Sequence, residues 1–160
     1  MSISNDVLRA WVRPRAVLRG LLDRGEKESR ALIILMAGCL LTWVAQWPRL
    51  SREAASGLEI PVEALIQEAL VVWLFFVPLV AYVLAVLIYL VARLIRTNLT
   101  GYGARLALFW TLLASAPASL LFGLSSGFLG DSPGTSLVGG VLIAGFIWIL
   151  GQSLREAAKG

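Results

Sequence analysis

Four long apolar stretches, separated by short polar segments, dominate this chain. The first covers residues 31–48, the second 68–92, the third 104–124 and the fourth 135–154. Each holds close to the roughly 20 mostly apolar residues that an α-helix needs to cross a hydrocarbon core. We therefore predict an all-α integral membrane protein whose four transmembrane helices form one domain, residues 31–154.

Prolines are expected to end or bend these helices. Pro48 is expected to end the first helix, and Pro61 suits the first turn of a short helix that leads into the second. Pro78 and Pro117 lie inside the second and third stretches. A kink is expected at each, because the ring removes a backbone hydrogen bond.

The segment before the first span, residues 1–30, has a different pattern. Its apolar residues recur every three to four positions with arginines between them, which predicts a basic amphipathic helix split at Pro14. We expect this helix to be interfacial, on the inner leaflet, with contacts to lipid or to a partner from Arg9, Trp11, Arg13, Arg15, Leu18, Arg19 and Leu22. The alternative is that the arginines fix membrane topology and the segment packs beneath the bundle.

Composition and charge support a membrane protein and orient it. Hydrophobic residues make up 58% of the chain and the mean hydropathy is +0.80, beyond what a small soluble domain buries. With Arg105, at the start of the third stretch, counted on the inner side, twelve Lys and Arg residues fall on one predicted side and two on the other. The positive-inside rule then places both termini, including a tail at 155–160, in the cytoplasm. The excess of Arg over Lys favours a bacterial inner membrane.

The turn between the second and third stretches resembles a potassium-channel filter, TVGYG, by one local match, Thr100-Gly101-Tyr102-Gly103. It lies on the predicted inner side among fixed cations, which argues against a pore. We expect the glycines to adopt positive φ in a tight turn and the tyrosine to lie at the membrane interface. The predicted inner turn comprises Arg93, Arg96, Gly101, Tyr102, Gly103 and Arg105.

Groups that support chemistry are scarce. The chain has no histidine and one cysteine, Cys39, and the predicted spans carry no ionisable side chain in their apolar centres. We therefore predict no enzymatic activity, no metal site and no cofactor, and the pattern disfavours ion-coupled transport.

Small residues recur at four-residue spacing, which allows close helix packing. The residues expected to pack are Ala81, Ala85, Ala114, Ala118, Gly140 and Ala144. This pattern fits packing within the bundle, and it also fits contact with a second copy or another membrane protein.

Three features together resemble the bacterial branch of the Ypt-interacting (YIP) membrane-protein family. They are the lead "VRPRAVLRGLLDRGEKESRAL", the segment "TGYGARLALFWTLLASAPASLLFG", and the small multi-span body. The resemblance implies a cytoplasmic N-terminus, and in eukaryotic members a link to Rab-type GTPases and vesicle traffic. Family members usually have five spans, whereas this chain shows four and has a short N-terminal tail.

The hypothesis that these observations favour is a non-enzymatic membrane protein that organises lipid or scaffolds a membrane protein complex. The expected partners are the phospholipid membrane and either another membrane protein or a second copy, with no nucleic acid. Two alternatives remain: a small permease or channel for an uncharged solute that uses the proline breaks, and an accessory subunit of a larger membrane complex.

Overall fold

The computed structural model describes residues 3–56 and 60–159, and within them the four apolar stretches form four long helices. All four are long and apolar enough to cross a membrane, which confirms the predicted all-α, four-span fold. They are α3 (Glu28–Ala55), a continuous helix Val62–Leu94, α6 (Gly101–Leu129) and α7 (Pro133–Ala157). Two short helices precede them, α1 (Ile3–Val12) and α2 (Pro14–Leu22).

The helices extend beyond the apolar stretches, and the prediction that Pro48 ends the first helix is wrong. α3 continues through Pro48 to Ala55. Arg52, one turn past the proline, donates hydrogen bonds to the carbonyls of Gly127 and Phe128 on α6, at 3.2 and 3.3 Å. These tertiary contacts hold the last turns of α3 in place although the proline ring removes one backbone hydrogen bond.

The second long helix changes its winding before Pro78. It consists of α4 (Val62–Val71), a π-helical turn (Val72–Phe76) and α5 (Val77–Leu94), and Pro78 lies in the first turn of α5. A π-helical turn shifts the hydrogen-bond register, so it accommodates the missing N–H of the proline. The short helix predicted after Pro61 is confirmed as α4.

α6 is the central helix of the bundle. Two thirds of its most apolar window (67%) is buried, against 39% for α3, 17% for the second span and 11% for α7. α3, α5 and α7 all pack against α6, whereas α5 and α7, both fully described, make no close backbone approach to each other. The second and fourth spans therefore leave most of their surface uncovered by the rest of the described chain.

α3 and α6 run in the same direction with their backbones in direct contact. A Cβ at Gly38 would lie 3.0 Å from the Leu113 amide, and one at Gly127 would lie 2.5 Å from Pro48. At Gly123 it would overlap the carbonyl of Ala45. Because lipid tails are as apolar as the side chains, such close van der Waals contact is a main source of helix association in a bilayer.

Two of the predicted packing pairs contact the bundle at least in part, and one does not. Ala81 and Ala85 are buried where α5 meets α6, beside an edge-to-face contact of Tyr82 with Phe109 at 4.9 Å. Ala114 is fully buried, and Ala118 is half-buried.

Gly140 and Ala144 do not pack within the bundle, because both are exposed on α7, and their contact with a second copy or another membrane protein stays a prediction. A Cβ at Gly140 would meet nothing within 4 Å. α7 instead turns Gly139 and Gly145 inward, towards Phe122 and Trp11 respectively. Four-residue spacing in the sequence fixes a shared helix face, but several such faces exist on α7, and only packing selects one.

Contacts between helix ends join the helices at each of the two ends of the bundle. At one end Arg105 pairs with Glu28, and a Cβ at Gly103 would lie 3.3 Å from the side chain of Ala157. This end, formed by residues 24–30, 93–105 and 154–159, is called the basic end below. At the opposite end the Thr135 hydroxyl donates to the Gly130 carbonyl at 2.7 Å and closes the short α6–α7 connection.

The contact between α3 and α6 predicts that Gly123→Ala destabilises the fold. The added methyl group must displace the α3 backbone, and overpacking of this kind costs about 1–3 kcal/mol. Gly140→Ala is the matched control, because its methyl group enters open space. We expect the free energy of unfolding, measured by circular dichroism in mixed micelles with increasing SDS, to fall for Gly123→Ala. A fall of the same size for Gly140→Ala would contradict the assignment.

Candidate functional site

The basic N-terminal segment forms a helical hairpin. The chain breaks between α1 and α2 at Arg13, with Pro14 in the first turn of α2, which confirms the predicted split. Residues of both helices, from Asp6 to Arg24, line a common cleft, so α1 folds back along α2. The apolar face of the hairpin packs against α6 and α7 and buries Ala10, Leu18 and Leu21.

The tip of this hairpin reaches the middle of the bundle. The Trp11 indole Nε1 donates a hydrogen bond to the carbonyl of Ala114 at 2.9 Å, and its ring packs against Gly145. At 1.5 Å per residue, Gly145 lies about 18 Å from the C-terminal end of α7. The hairpin therefore packs along the C-terminal half of α7, with its tip against the middle of α6.

Three of the predicted lipid contacts, Leu18, Trp11 and Leu22, pack on the protein at least in part. Leu18 is fully buried inside the protein, so it is not available to anchor the segment in acyl chains. Trp11 is half-buried and bound to α6. Leu22 is also half-buried and packs on the core. The sequence pattern could not tell a protein surface from a lipid surface, since both are apolar.

The hydrogen bond of Trp11 lies next to the break that Pro117 makes in α6. Pro117 has no N–H, so the Leu113 carbonyl loses its partner four residues ahead, and the neighbouring Ala114 carbonyl accepts from the indole. An indole N–H in an apolar setting needs an acceptor, and a carbonyl beside a helix break is accessible to one. The Trp11 side chain therefore occupies the position beside the break at Pro117.

Polar contacts fasten α2 to the last turns of α7. Arg15 donates to the Gln152 side chain at 2.6 Å, and Arg19 forms an ion pair with Glu156. The Glu156 side chain is only 4% exposed and also binds Lys159, at 3.1 Å. A buried carboxylate needs such partners to offset its desolvation. These contacts fix the hairpin against α7, with Arg15 and Arg19 on its outer face.

Three further arginines surround the cleft between α1 and α2. Arg9, Arg13 and Arg24 are exposed, line a volume of about 160 Å³, and form no ion pair with any carboxylate in the described part of the chain. Asp6, which is buried, lines the same cleft. With three arginines and one aspartate, the cleft carries a net positive charge and suits an anionic group such as a phosphate.

The two glycines of the predicted inner turn do not have the expected backbone conformation. Gly101 and Gly103 do not have positive φ, because they form the first turn of α6, where the Thr100 hydroxyl accepts from the Gly103 amide at 3.0 Å. The residue with positive φ is Arg96, at 57°. Tyr102 is buried, with its hydroxyl 3.5 Å from the Lys27 carbonyl.

The arginines of this turn have different surroundings. Arg93 and Arg96 are exposed at the end of α5, whereas Arg105 is half-buried and pairs with Glu28 at the start of α3. Arg105 therefore joins the first turns of α3 and α6, and the structure does not bring it together with the hairpin arginines in one site.

Sequence reasoning missed several residues that build the hairpin site. Gln152 and Glu156 are polar residues at the end of an apolar helix, a place where partners are common, but the sequence does not indicate which residue they bind. Away from the hairpin, at the contact of α6 with α3, Gly127 forms with Gly123 a GxxxG pattern, a signal of close helix contact that was available in the sequence.

The described residues hold no group of three or more Cys, Asp or Glu side chains placed to bind a metal ion. Comparisons of the chain with protein families, with curated proteins and with solved structures find no match. The resemblance to the YIP family therefore stays a prediction from the sequence.

The insertion of Trp11 predicts that Trp11→Phe loosens the hairpin. Phenylalanine keeps an aromatic ring beside Gly145 but removes the hydrogen bond to Ala114, which contributes about 0.5–1.5 kcal/mol. We expect hydrogen exchange of the amides in α1 and α2 to become about two- to tenfold faster in detergent micelles. Val12→Ala is the control, because Val12 is 79% exposed. Unchanged protection in Trp11→Phe would show that the hydrogen bond does not hold the hairpin.

Proposed function

We propose that this chain is a non-enzymatic protein of a bacterial inner membrane that organises anionic lipid at its cytoplasmic face. The observation that carries the proposal is the inserted hairpin, whose tip touches α6 and α7 at mid-length while its arginines face outward. With the last turn of α7 at headgroup level, we expect the hairpin tip, about 18 Å away along α7, to lie below the lipid headgroups.

Arginines at that depth require anionic partners or water. A cationic side chain at the centre of a membrane helix costs about 2.5–3.5 kcal/mol, a cost that snorkelling, local thinning of the bilayer and water defects reduce. Arg9 and Arg13, next to the tip, form no ion pair with a described carboxylate. We expect them to draw lipid phosphates towards the hairpin and so to thin the leaflet beside α7.

The packing of the hairpin makes this surface rigid. The ion pair of Arg19 with Glu156, the bond of Arg15 to Gln152 and the buried Leu18 hold α2 on α7. Charges in fixed positions bind an anion without first losing conformational freedom, which favours a defined site over diffuse attraction. An attraction of about 1 kcal/mol per basic residue near an anionic surface adds to this effect.

The scaffolding of a membrane protein complex is the second candidate. The observation that favours it is the small buried fraction of the second and fourth spans, 17% and 11% of their apolar windows. Those faces suit lipid, and they equally suit the helix of another membrane protein or a second copy of this chain.

The lipid function predicts that the double substitution Arg9→Gln and Arg13→Gln weakens binding of anionic lipid. Two basic residues contribute about 2 kcal/mol near an anionic surface, so retention of phosphatidylglycerol relative to phosphatidylcholine should fall roughly tenfold to thirtyfold. Native mass spectrometry of protein released from mixed-lipid nanodiscs measures this ratio.

The matched control is Arg93→Gln with Arg96→Gln, which removes the same charge from the same end but outside the hairpin. A loss of equal size in both double variants would mean that the net charge of the basic end, and not the hairpin, selects the lipid. No loss in either variant would overturn the proposed function.

The proposed orientation predicts which residues an impermeant thiol reagent reaches. Cys39 is the only cysteine of the chain and is buried, so the unmodified protein should stay unlabelled. We expect Ser51→Cys to react in intact spheroplasts and Asn98→Cys to react only after permeabilisation, since both positions are exposed at opposite ends. The reverse pattern would contradict a cytoplasmic basic end.

A further inference from the structure

A second candidate site, separate from the hairpin, is a groove at the basic end between α5 and the last turn of α7. Both helices pack on α6 without approaching each other, so a gap stays open between them. It has a volume of about 480 Å³, within the range of small-molecule sites. Its lining residues include Leu84, Leu87, Val91, Leu99, Leu154 and Arg155.

The groove is apolar along its length and charged at one point. Arg155 is the only charged residue among those that line it, and it forms no ion pair with a described carboxylate. The neighbouring Glu156 is engaged by Arg19 and Lys159. Thr97 also lines the groove, but its hydroxyl is satisfied by the Ala92 carbonyl at 3.0 Å.

The charged part of the groove lies at the rim of the bundle, and its apolar part extends inward from there. Arg155 lies in the last turn of α7, at the rim of the bundle. From the end of α5 at Leu94 back to Leu84, the groove runs inward for about 15 Å. An amphiphile with an anionic head at the rim and one hydrocarbon chain pointing inward matches both parts of this surface.

We propose that this groove binds one anionic phospholipid, with its phosphate at Arg155 and one acyl chain along the α5 face that begins beside the last turn of α7. A lipid fits the observations better than a protein helix, because the groove is short and carries a cation at its mouth. The site deepens the lipid-organising function and rests on it for the choice of an anionic headgroup, while its residues are distinct from those of the hairpin.

A photoreactive lipid tests the proposal directly. The full chain is reconstituted in nanodiscs that contain phosphatidylglycerol with a diazirine near the middle of one acyl chain, and the labelled residues are mapped by mass spectrometry. We expect labelling concentrated on residues 84–99 and 154–158. Arg155→Gln should lower this labelling about fivefold, the factor equivalent to the 1 kcal/mol of one basic residue at an anionic surface.

Two further variants separate occupancy from folding. Leu87→Trp places a large ring in the groove and should abolish labelling there, whereas Leu79→Trp, on the exposed part of α5 outside the groove, should leave it unchanged. Circular dichroism of each variant checks that the helices are intact. The same lipid with a phosphatidylcholine headgroup should label the groove weakly.

Each outcome decides for or against the site. Even labelling of all exposed faces of α5 and α7, or labelling that is insensitive to Arg155→Gln, would overturn it. Labelling of other exposed faces with none in the groove would also overturn it. Arg9→Gln with Arg13→Gln should reduce overall retention of anionic lipid and leave groove labelling intact, so failure of the hairpin function and failure of the groove site give different results.

Discussion

The contact between the backbones of α3 and α6 is the constraint on which the rest of the structure depends. With glycine at 38, 123 and 127, the two helices touch along most of their length and form a unit without lipid between them. α6 then has its remaining faces free for α5, α7 and the hairpin, and it becomes the most buried helix. A larger side chain at Gly123 would separate α3 from α6 and shift the helix that positions all the others.

The central position of α6 also shapes the basic end of the bundle. Because α6 is central, its basic end can receive α2 on one side and leave a gap beside α5 on another. The hairpin uses its apolar face to pack on protein, which leaves its arginines facing outward at a fixed place. The α5–α7 gap has no such filling segment within the described residues. The two surfaces together form a basic end that combines fixed cations with an accessible apolar groove, the combination that a phospholipid requires.

Much of the architecture was predictable because the bilayer imposes strong rules. Length and hydropathy located all four spans, and the proline at position 14 located the break between α1 and α2. The site was less predictable. Arg9, Arg13, Arg15 and Arg19 were identified as a basic surface, but the depth of insertion follows from Trp11 meeting Ala114, a contact 103 residues apart in the chain. The prediction for Pro48 failed because contacts from Arg52 to α6 outweigh a local preference.

The sequence by itself determined the fold class, the number of spans and the division of charge between the two ends, because each depends on local composition over about 20 residues. Tertiary structure alone decided which small residues pack, so that Gly139 and Gly145 face inward while Gly140 does not. It also decided that Gly101 and Gly103 begin a helix instead of forming a turn. The physical reason is the same in each case: an apolar helix face is equally suited to lipid and to protein, and only the shape of the neighbouring helix selects between them.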